Sequence, residues 1–391
     1  MAYEKGDNIW QHPQVIAMEA LSHLEDSLVI SPLCATDTTS NFSTKANGWK
    51  VGDSVSFRTH GEYEVDEFET TISTQSIGTS TRPMSIEKHF DISVEVGARE
   101  YSLDLDSFVE QVIQPATYKL AEKVDTYIGT KILEAAGAYY STGLFTTAAD
   151  IALARKNATI QQLAMNRFCL VDLDIEATLL GQTWFNQSNS RGSDGEQTLR
   201  NADMGRVMGM DFFSSIAFPT EATATTVGTF VGVTNNTTGT KNIIGDSILV
   251  VDDTTDSKNL VAGDRLYIPG VRRPLKVKTA IADTNATVAI VLVDPITEII
   301  PDDTTVTVLA SGKDVQHHGV IMDDRSLAVA FPLLDLPEDR VAATASNNGV
   351  SIRIVKGYDL SSKKTTMSMD LLCGAFALDP RRMTLVGDKS S

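Results

Sequence analysis

Residue types that carry chemistry are sparse and poorly grouped in this sequence. Six histidines and three cysteines occur in 391 residues. His317 and His318 are adjacent, but neighbours on a strand face opposite sides, so the two fit one metal ion poorly and a structural role is expected. Asp252, Asp253 and Asp256 follow half of a calcium-loop spacing, yet Gly263 stands where the twelfth-position glutamate belongs, which predicts a solvated turn. Cys34, Cys169 and Cys373 lie far apart and form no CxxC pair, so no disulfide framework is expected. Cys169 and Cys373 sit in apolar runs and read as small core hydrophobes. Sequons at Asn41, Asn157, Asn186, Asn235, Asn236 and Asn285 carry meaning only in an exported chain. No Walker A, dinucleotide fingerprint, HExxH or GxSxG occurs. The expectation is therefore no catalytic site, no metal and no cofactor, because no nucleophile, base and orienter converge.

Charge narrows the classes further. Lys and Arg number 33 against 51 Asp and Glu, a formal charge of −18. That balance disfavours a dedicated nucleic-acid binder, which needs clustered cations on phosphate, and a basic membrane-surface protein. No run of 18 apolar residues predicts a transmembrane helix. The opening MAYEKGDNIWQHPQ lacks the basic-then-apolar pattern of a signal peptide, which with the scattered cysteines fits a reducing cytosol. At 42% hydrophobic and 21% charged the chain reads as globular, and its length suggests two or three domains.

The elements that must position any functional residue are clearer. Val15, Met18, Leu21 and Leu24 recur at helical spacing, predicting a helix from about Pro13 to Val29 that stops before Pro32. Residues 35–47 are Thr- and Ser-rich, without a period, and read as an extended connector. Residues 50–100 read as a long β-ribbon. Its outgoing strand lies around Val51–Arg58, and its return strand alternates Phe90, Ile92, Val94, Val96 and Ala98 with polar residues. The polar stretch between them is too long for an ordinary loop and reads as an arm leaving the body. Trp49, Phe57 and Phe90 flank it, and two readings stand: they pack the ribbon's root, or some anchor it on a neighbouring subunit. Ser107 and Glu110 have capping-box spacing, and Phe108, Val112, Ala116, Leu120, Val124, Ile128 and Ile132 recur every four residues. This predicts a long helix, kinked at Pro115 and straight over about 116–138, roughly 34 Å.

Further along, the patterns predict a helix over 148–165, a buried strand over 167–172 and a helix over 174–181. A polar, mobile surface loop is expected over 181–207, and a strand near 207–215. Composition then shifts. Threonine supplies 18 of the 91 residues from Thr220 to Ala310, where short Val/Ile runs are punctuated by Gly, Asn and Asp. That pattern predicts a small antiparallel β-barrel or sandwich, inserted into a surface loop of an α+β host, so that Thr220 and Ala310 lie close together. Within it, Arg265, Arg272, Arg273, Lys276 and Lys278 gather beside the acidic Asp246, Asp252 and Asp253. These opposite charges are expected to hold the barrel together or to bridge subunits, against the common outcome of a solvated face. Three strands after Lys313 (LAVAFPL, SIRIVKGYD, TMSMDLLCGAFAL) complete the host core.

In this order, the elements resemble those of tailed-phage major capsid (coat) proteins of the Hong Kong 97-type fold, in particular the podophage coat subgroup with an inserted β-barrel. AEKVDTYIGTKILEA (121–135) resembles the spine helix, MGRVMGMDFFSS (204–215) the apical strand before the insertion, and LVAGDRLYIPGV (260–271) a strand pair of the barrel. HHGVIMDDRSLAVAFPLLDLP (317–337) and SIRIVKGYDLSSKKTTMSMDLLCGAFALDPRRM (351–383) resemble the closing segments. The likeness spans nearly the whole chain and rests on order, since no single motif is diagnostic.

The resemblance implies an α+β fold divided as N-terminal helix and arm (1–48), extended β-ribbon loop (49–103), spine helix (104–147), first apical part (148–219), inserted β-barrel (220–311) and return strands (312–391). It implies self-assembly into the hexamers and pentamers of an icosahedral shell. A scaffolding protein, a portal and non-specifically held double-stranded DNA are the implied partners, with a decoration protein as a further candidate and no membrane. The implied location is the virion shell, assembled in the host cytoplasm. Trp49, Phe57, Phe68, Ile77, Arg82 and Phe90 become candidate inter-subunit contacts. Some members join a lysine of the extended loop to an asparagine. Here Lys88 is the sole lysine between Lys50 and Lys119 and does not sit at the loop tip, so no crosslink is expected. The alternatives are a tail-tube or other virion structural protein, which would lack the long helix, and an enzyme with an inserted β-domain, which would need a convergent polar site.

Overall fold

The structure is a computed structural model that describes residues 13–36, 54–58, 81–97, 109–141, 145–161, 166–187, 192–218, 231–235, 242–243, 245–252, 258–260, 262–271, 274–283, 287–296, 298, 300–308, 315–337, 341–359, 361 and 364–389. The chain divides into two compact units. One draws on 1–60, 79–131 and 327–378, and the other on 61–78, 132–326 and 379–391.

In the first unit, helix Pro13–Ser27 buries Ile16, Ala17, Ala20, Leu21 and Leu24, one stripe at helical spacing, and packs on strands Val341–Asn347 and Val350–Asp359. It stops two residues before the expected Val29, and a 3₁₀ turn at Ser31–Leu33 takes in Pro32. The long helix runs from Gln114 to Ala135, about 33 Å. The expected kink takes the form of a π-helical turn, Val109–Ile113, placed just before Pro115, whose ring nitrogen has no hydrogen to donate. Ser107 lies outside the described residues. Ala116, Leu120, Val124, Ile128 and Ile132 are all buried, as their spacing requires.

A five-stranded antiparallel sheet forms this unit's core. Strand Lys364–Ala377 is its axis: it pairs with Leu327–Ala330, with Val350–Asp359 and with Lys88–Gly97, and Val341–Asn347 pairs on the far side of Val350–Asp359. This corrects the expected ribbon. Strand Ser54–Arg58 pairs antiparallel with Thr81–Ser85, whereas the alternating 88–97 segment belongs to the body's sheet. Phe90, Ile92 and Val94 are half-buried while Asp91, Ser93 and Glu95 are exposed. The alternation therefore reported a half-buried face correctly, but a period of two carries no information about the partner strand.

The second unit holds a six-stranded mixed sheet in the order Ala138–Ser141, Met383–Lys389, Val315–Met322, Arg167–Val171, Met210–Ser214, Arg206–Val207. Helix Ala148–Ile160 starts at a capping box between Thr147 and Asp150, and helix Leu173–Gly181 starts where the Asp172 carboxylate accepts the Ile175 N–H at 2.9 Å. Of the expected mobile loop over 181–207, the described residues include two short helices, Thr183–Asn186 and Ser193–Asn201, and a strand, while 188–191 lie outside them. Phe185 is fully buried in the core with Ile151, Ile175 and Leu179, and the Thr198 hydroxyl donates to the Asp194 and Asp203 carbonyls. The segment's polar residues cover the outside of a packed corner, and a few anchors suffice to order it.

Between residues 231 and 308 every described regular element is a strand. Six of them form an antiparallel sheet in the order Leu275–Lys276, Arg265–Tyr267, Thr305–Val308, Val231–Thr234, Ile248–Asp252, Thr287–Val291. Its two ends meet, because Lys278 N–H donates to the Val291 carbonyl at 2.8 Å and Val293 N–H to the Lys276 carbonyl at 2.9 Å. This bridge joins the two outer strands at one end. Alternate residues such as Leu249, Val251, Val288, Ile290, Val306 and Val308 fill a buried apolar interior. Thr220 and Ala310, expected to lie close together, fall outside the described residues.

Candidate functional site

Three of the six sequence-derived contact residues, Phe57, Arg82 and Phe90, lie on described strands. Phe57 is partly buried with Val55 and Ile86 against fully buried Met84, Ala328 and Ala330. Phe90 meets Tyr127 edge-on, with ring centroids 6.0 Å apart. Both have packing partners within their own unit. Arg82 is the register partner of Phe57. Its side chain, and Trp49, Phe68 and Ile77, lie outside the described residues.

Charged side chains tie together the strands of the sheet beside the ribbon's root. Asp370, with its side chain only 5% exposed, takes both the Nε and Nη2 donors of Arg353, the former at 3.0 Å. His89 Nε2 lies 3.0 Å from the same carboxylate. The hydrogen bond to Asp370 raises the Arg353 pKa above its ordinary value. Next to this pair, the hydroxyls of Ser93 and Ser368 both donate to Asp91, and Lys364 pairs with Glu95 at 3.2 Å. Glu87, in the link between strands 81–85 and 88–97, receives Lys131 Nζ at 2.9 Å and the Tyr127 hydroxyl at 3.3 Å.

Asp125 sits on the buried face of the long helix and accepts the backbone N–H groups of Val29, Ile30 and Ser31 at 2.8, 3.2 and 3.3 Å. Burial pushes its pKa up, against the opposing pull of those three donors. The carboxylate thus satisfies backbone N–H groups at the start of the 3₁₀ turn that follows the first helix. In the second unit, buried Asp323 pairs with Arg382 and accepts the Ser326 hydroxyl at 2.8 Å. None of Asp125, Asp370, Arg353 or Asp323 belongs to a spacing motif. The available signal was a charge interrupting an apolar pattern, as Asp125 does beside Val124 and Asp370 does before Leu371.

In the charge cluster of the 231–308 stretch, the described contacts are these. Asp246 accepts the Ile243 N–H at 3.2 Å, and Asp252 accepts the Asn235 amide. Arg265 donates to the Leu133 carbonyl at 3.1 Å and Lys276 to that of Glu134, at the end of the long helix. Asp253, Arg272 and Arg273 lie outside the described residues. All three cysteines are buried, and burial pushes each thiol pKa up, away from the reactive thiolate. Among the described residues no group of three or more His, Cys, Asp or Glu is placed to hold a metal ion. The His317 and His318 side chains are not among those described; the strand bulges between His317 and Gly319.

The mixed helix-and-sheet fold has likenesses among solved structures of phage chains. The likeness is to a chain of Mycobacterium phage Che8, at 10% identity and a TM-score of 0.53, covering 92% of this chain and 90% of that one. Weaker similarities are to the capsid structure of the cyanophage P-SCSP1u (12% identity, 87% and 84% covered, TM-score 0.47) and the mature capsid of bacteriophage PhiM1 (11%, 87% and 83%, 0.45). No protein-family model and no curated protein matches the sequence.

Proposed function

We propose that this chain is a major capsid protein whose copies self-assemble into the icosahedral shell around phage double-stranded DNA. The observation that carries the reading is the near full-length likeness to the Che8 chain, 92% of this chain at a TM-score of 0.53, combined with the order of elements that the sequence alone suggested. In this reading the fold is the Hong Kong 97 type. Helix Gln114–Ala135 is the spine, the Ser54–Arg58/Thr81–Ser85 pair is the root of the extended loop, and the 231–308 sheet is an inserted barrel.

The physical driving force is apolar area that one subunit cannot bury alone. In this reading Phe68 and Ile77 belong to the extended loop, whose root is held by Met84. Laid on a neighbouring copy, such residues are stabilised by roughly 25 cal/mol per Å² of area removed from water. Many weak contacts repeated around a closed shell give a stable particle. Trp49, Phe68, Ile77 and Arg82 are the proposed contacts, a scaffolding protein and portal the proposed assembly partners, and a decoration protein an added one. A charge of −18 per subunit keeps packaged phosphate from adhering to the wall. The role is structural rather than catalytic, the location is the virion shell after assembly in the host cytoplasm, and Lys88 forms no crosslink. Electron microscopy of the purified, concentrated protein tests the reading. Closed shells are expected; tubes would favour the tail reading, and a persistent monomer would end both.

A further inference from the structure

We infer that the 231–308 stretch is the C-terminal cap of the long helix, and that Arg265 and Lys276 are the positioning residues that hold the helix end. The inference does not depend on the shell reading. A helix leaves its last carbonyls without intrahelical donors, and each needs a partner when covered by protein. Here the Ile132 carbonyl receives the Ala136 N–H at 2.9 Å, the Leu133 carbonyl receives Arg265 Nη2 at 3.1 Å, and the Glu134 carbonyl receives Lys276 Nζ. The helix has no basic residue in its own last turn. The positive charge that favours a helix C-terminus is supplied from 132 residues further along the chain.

A second observation points the same way. Arg265 and Lys276 are direct register partners on adjacent antiparallel strands. Side chains at such positions share one face, and like charges there repel. Their neighbour Leu266 lies in the apolar interior, so Arg265 faces outward, yet it is only 8% exposed. A pair of cations facing each other on one strand pair, one of them covered, needs a common negative partner. The negative end of the helix dipole supplies one. The cap fixes where the helix stops and where strand Ala138–Ser141 begins, so the two elements keep one register.

Hydrogen–deuterium exchange of the full chain, read by mass spectrometry, tests this. Lys276→Met and Arg265→Met are each expected to speed exchange of the amides of residues 133–136 roughly tenfold, the size of a lost charged contact at a helix end. Amides near Leu120 should keep their protection. Glu134→Gln removes a carboxylate but keeps the backbone carbonyl, and should leave exchange unchanged. If Arg265→Met fails to fold, Lys276→Met decides alone, since its side chain is only partly buried. Unaltered exchange in the cation variants, or an equal rise in Glu134→Gln, would overturn the inference.

Discussion

Two strands separated by a two-residue link are held in opposite ways. Strand Lys88–Gly97 has ten register pairs with Lys364–Cys373 and lies in the body's sheet. Strand Thr81–Ser85 has five pairs, all with Ser54–Arg58, in a two-stranded ribbon. An isolated two-stranded ribbon is marginal in water, so its stability must come from the apolar face around Met84. The first strand is fixed by register and charge, the second by one patch of packing. A loop root of the second kind can loosen without disturbing the sheet beneath it.

Breaking the charge anchor should have the largest effect. Arg353→Met leaves the nearly buried Asp370 carboxylate without its bidentate partner, with His89 beside it. A loss of about 3 kcal/mol is expected from urea unfolding, and an unchanged midpoint would mean that the sheet does not depend on this pair. Met84→Ala tests the other side of the comparison. Truncating a fully buried methionine costs about 2–3 kcal/mol. The loss should appear as faster hydrogen exchange over 54–58 and 81–85, with 88–97 still protected. Equal loosening of both strands would show that they form one cooperative piece.

The sequence revealed these regions unevenly, for physical reasons. The long helix and the 88–97 strand were legible because each has one buried face, and burial imposes a period of about four or of two. The partner of 88–97 was not legible, since pairing depends on residues nearly 300 positions away. The 181–207 corner was misread because Phe185 and Thr198 order it while most of its residues stay polar. Of the candidate site, Phe57 and Phe90 were found through their aromatic character. Asp370 and Asp125 were passed over, because a lone acid in an apolar run has no spacing to match. Arg265 was singled out for its charge, but its contact with the long helix is to a backbone carbonyl, which no side-chain pattern encodes.

The junction between the two strands gives a smaller effect. A Cβ added at Gly374 would meet the Ser85 carbonyl at 2.7 Å and Ile86 Cδ1 at 2.9 Å. The backbone contact cannot yield as a side-chain tip can, so Gly374→Ala should cost about 1–2 kcal/mol by overpacking. Exchange should rise at Ser85 and Ile86 first. A neutral result would mean that the link between the ribbon and the sheet is free to shift.

The smallest effect separates buried from exposed charge on the same strand. Lys364 and Glu95 stand 3.2 Å apart with side chains 48% and 50% exposed. Water competes for both groups and salt screens them, so such a pair contributes at most about 0.5 kcal/mol. Lys364→Gln should leave the urea midpoint within that margin at moderate salt, while Arg353→Met on the neighbouring strand moves it several times further. A Lys364→Gln shift as large as the Arg353→Met shift would mean that this end of the sheet is drier than its exposure indicates. The contrast between a register-held strand and a packing-held ribbon would then have to be redrawn around charge.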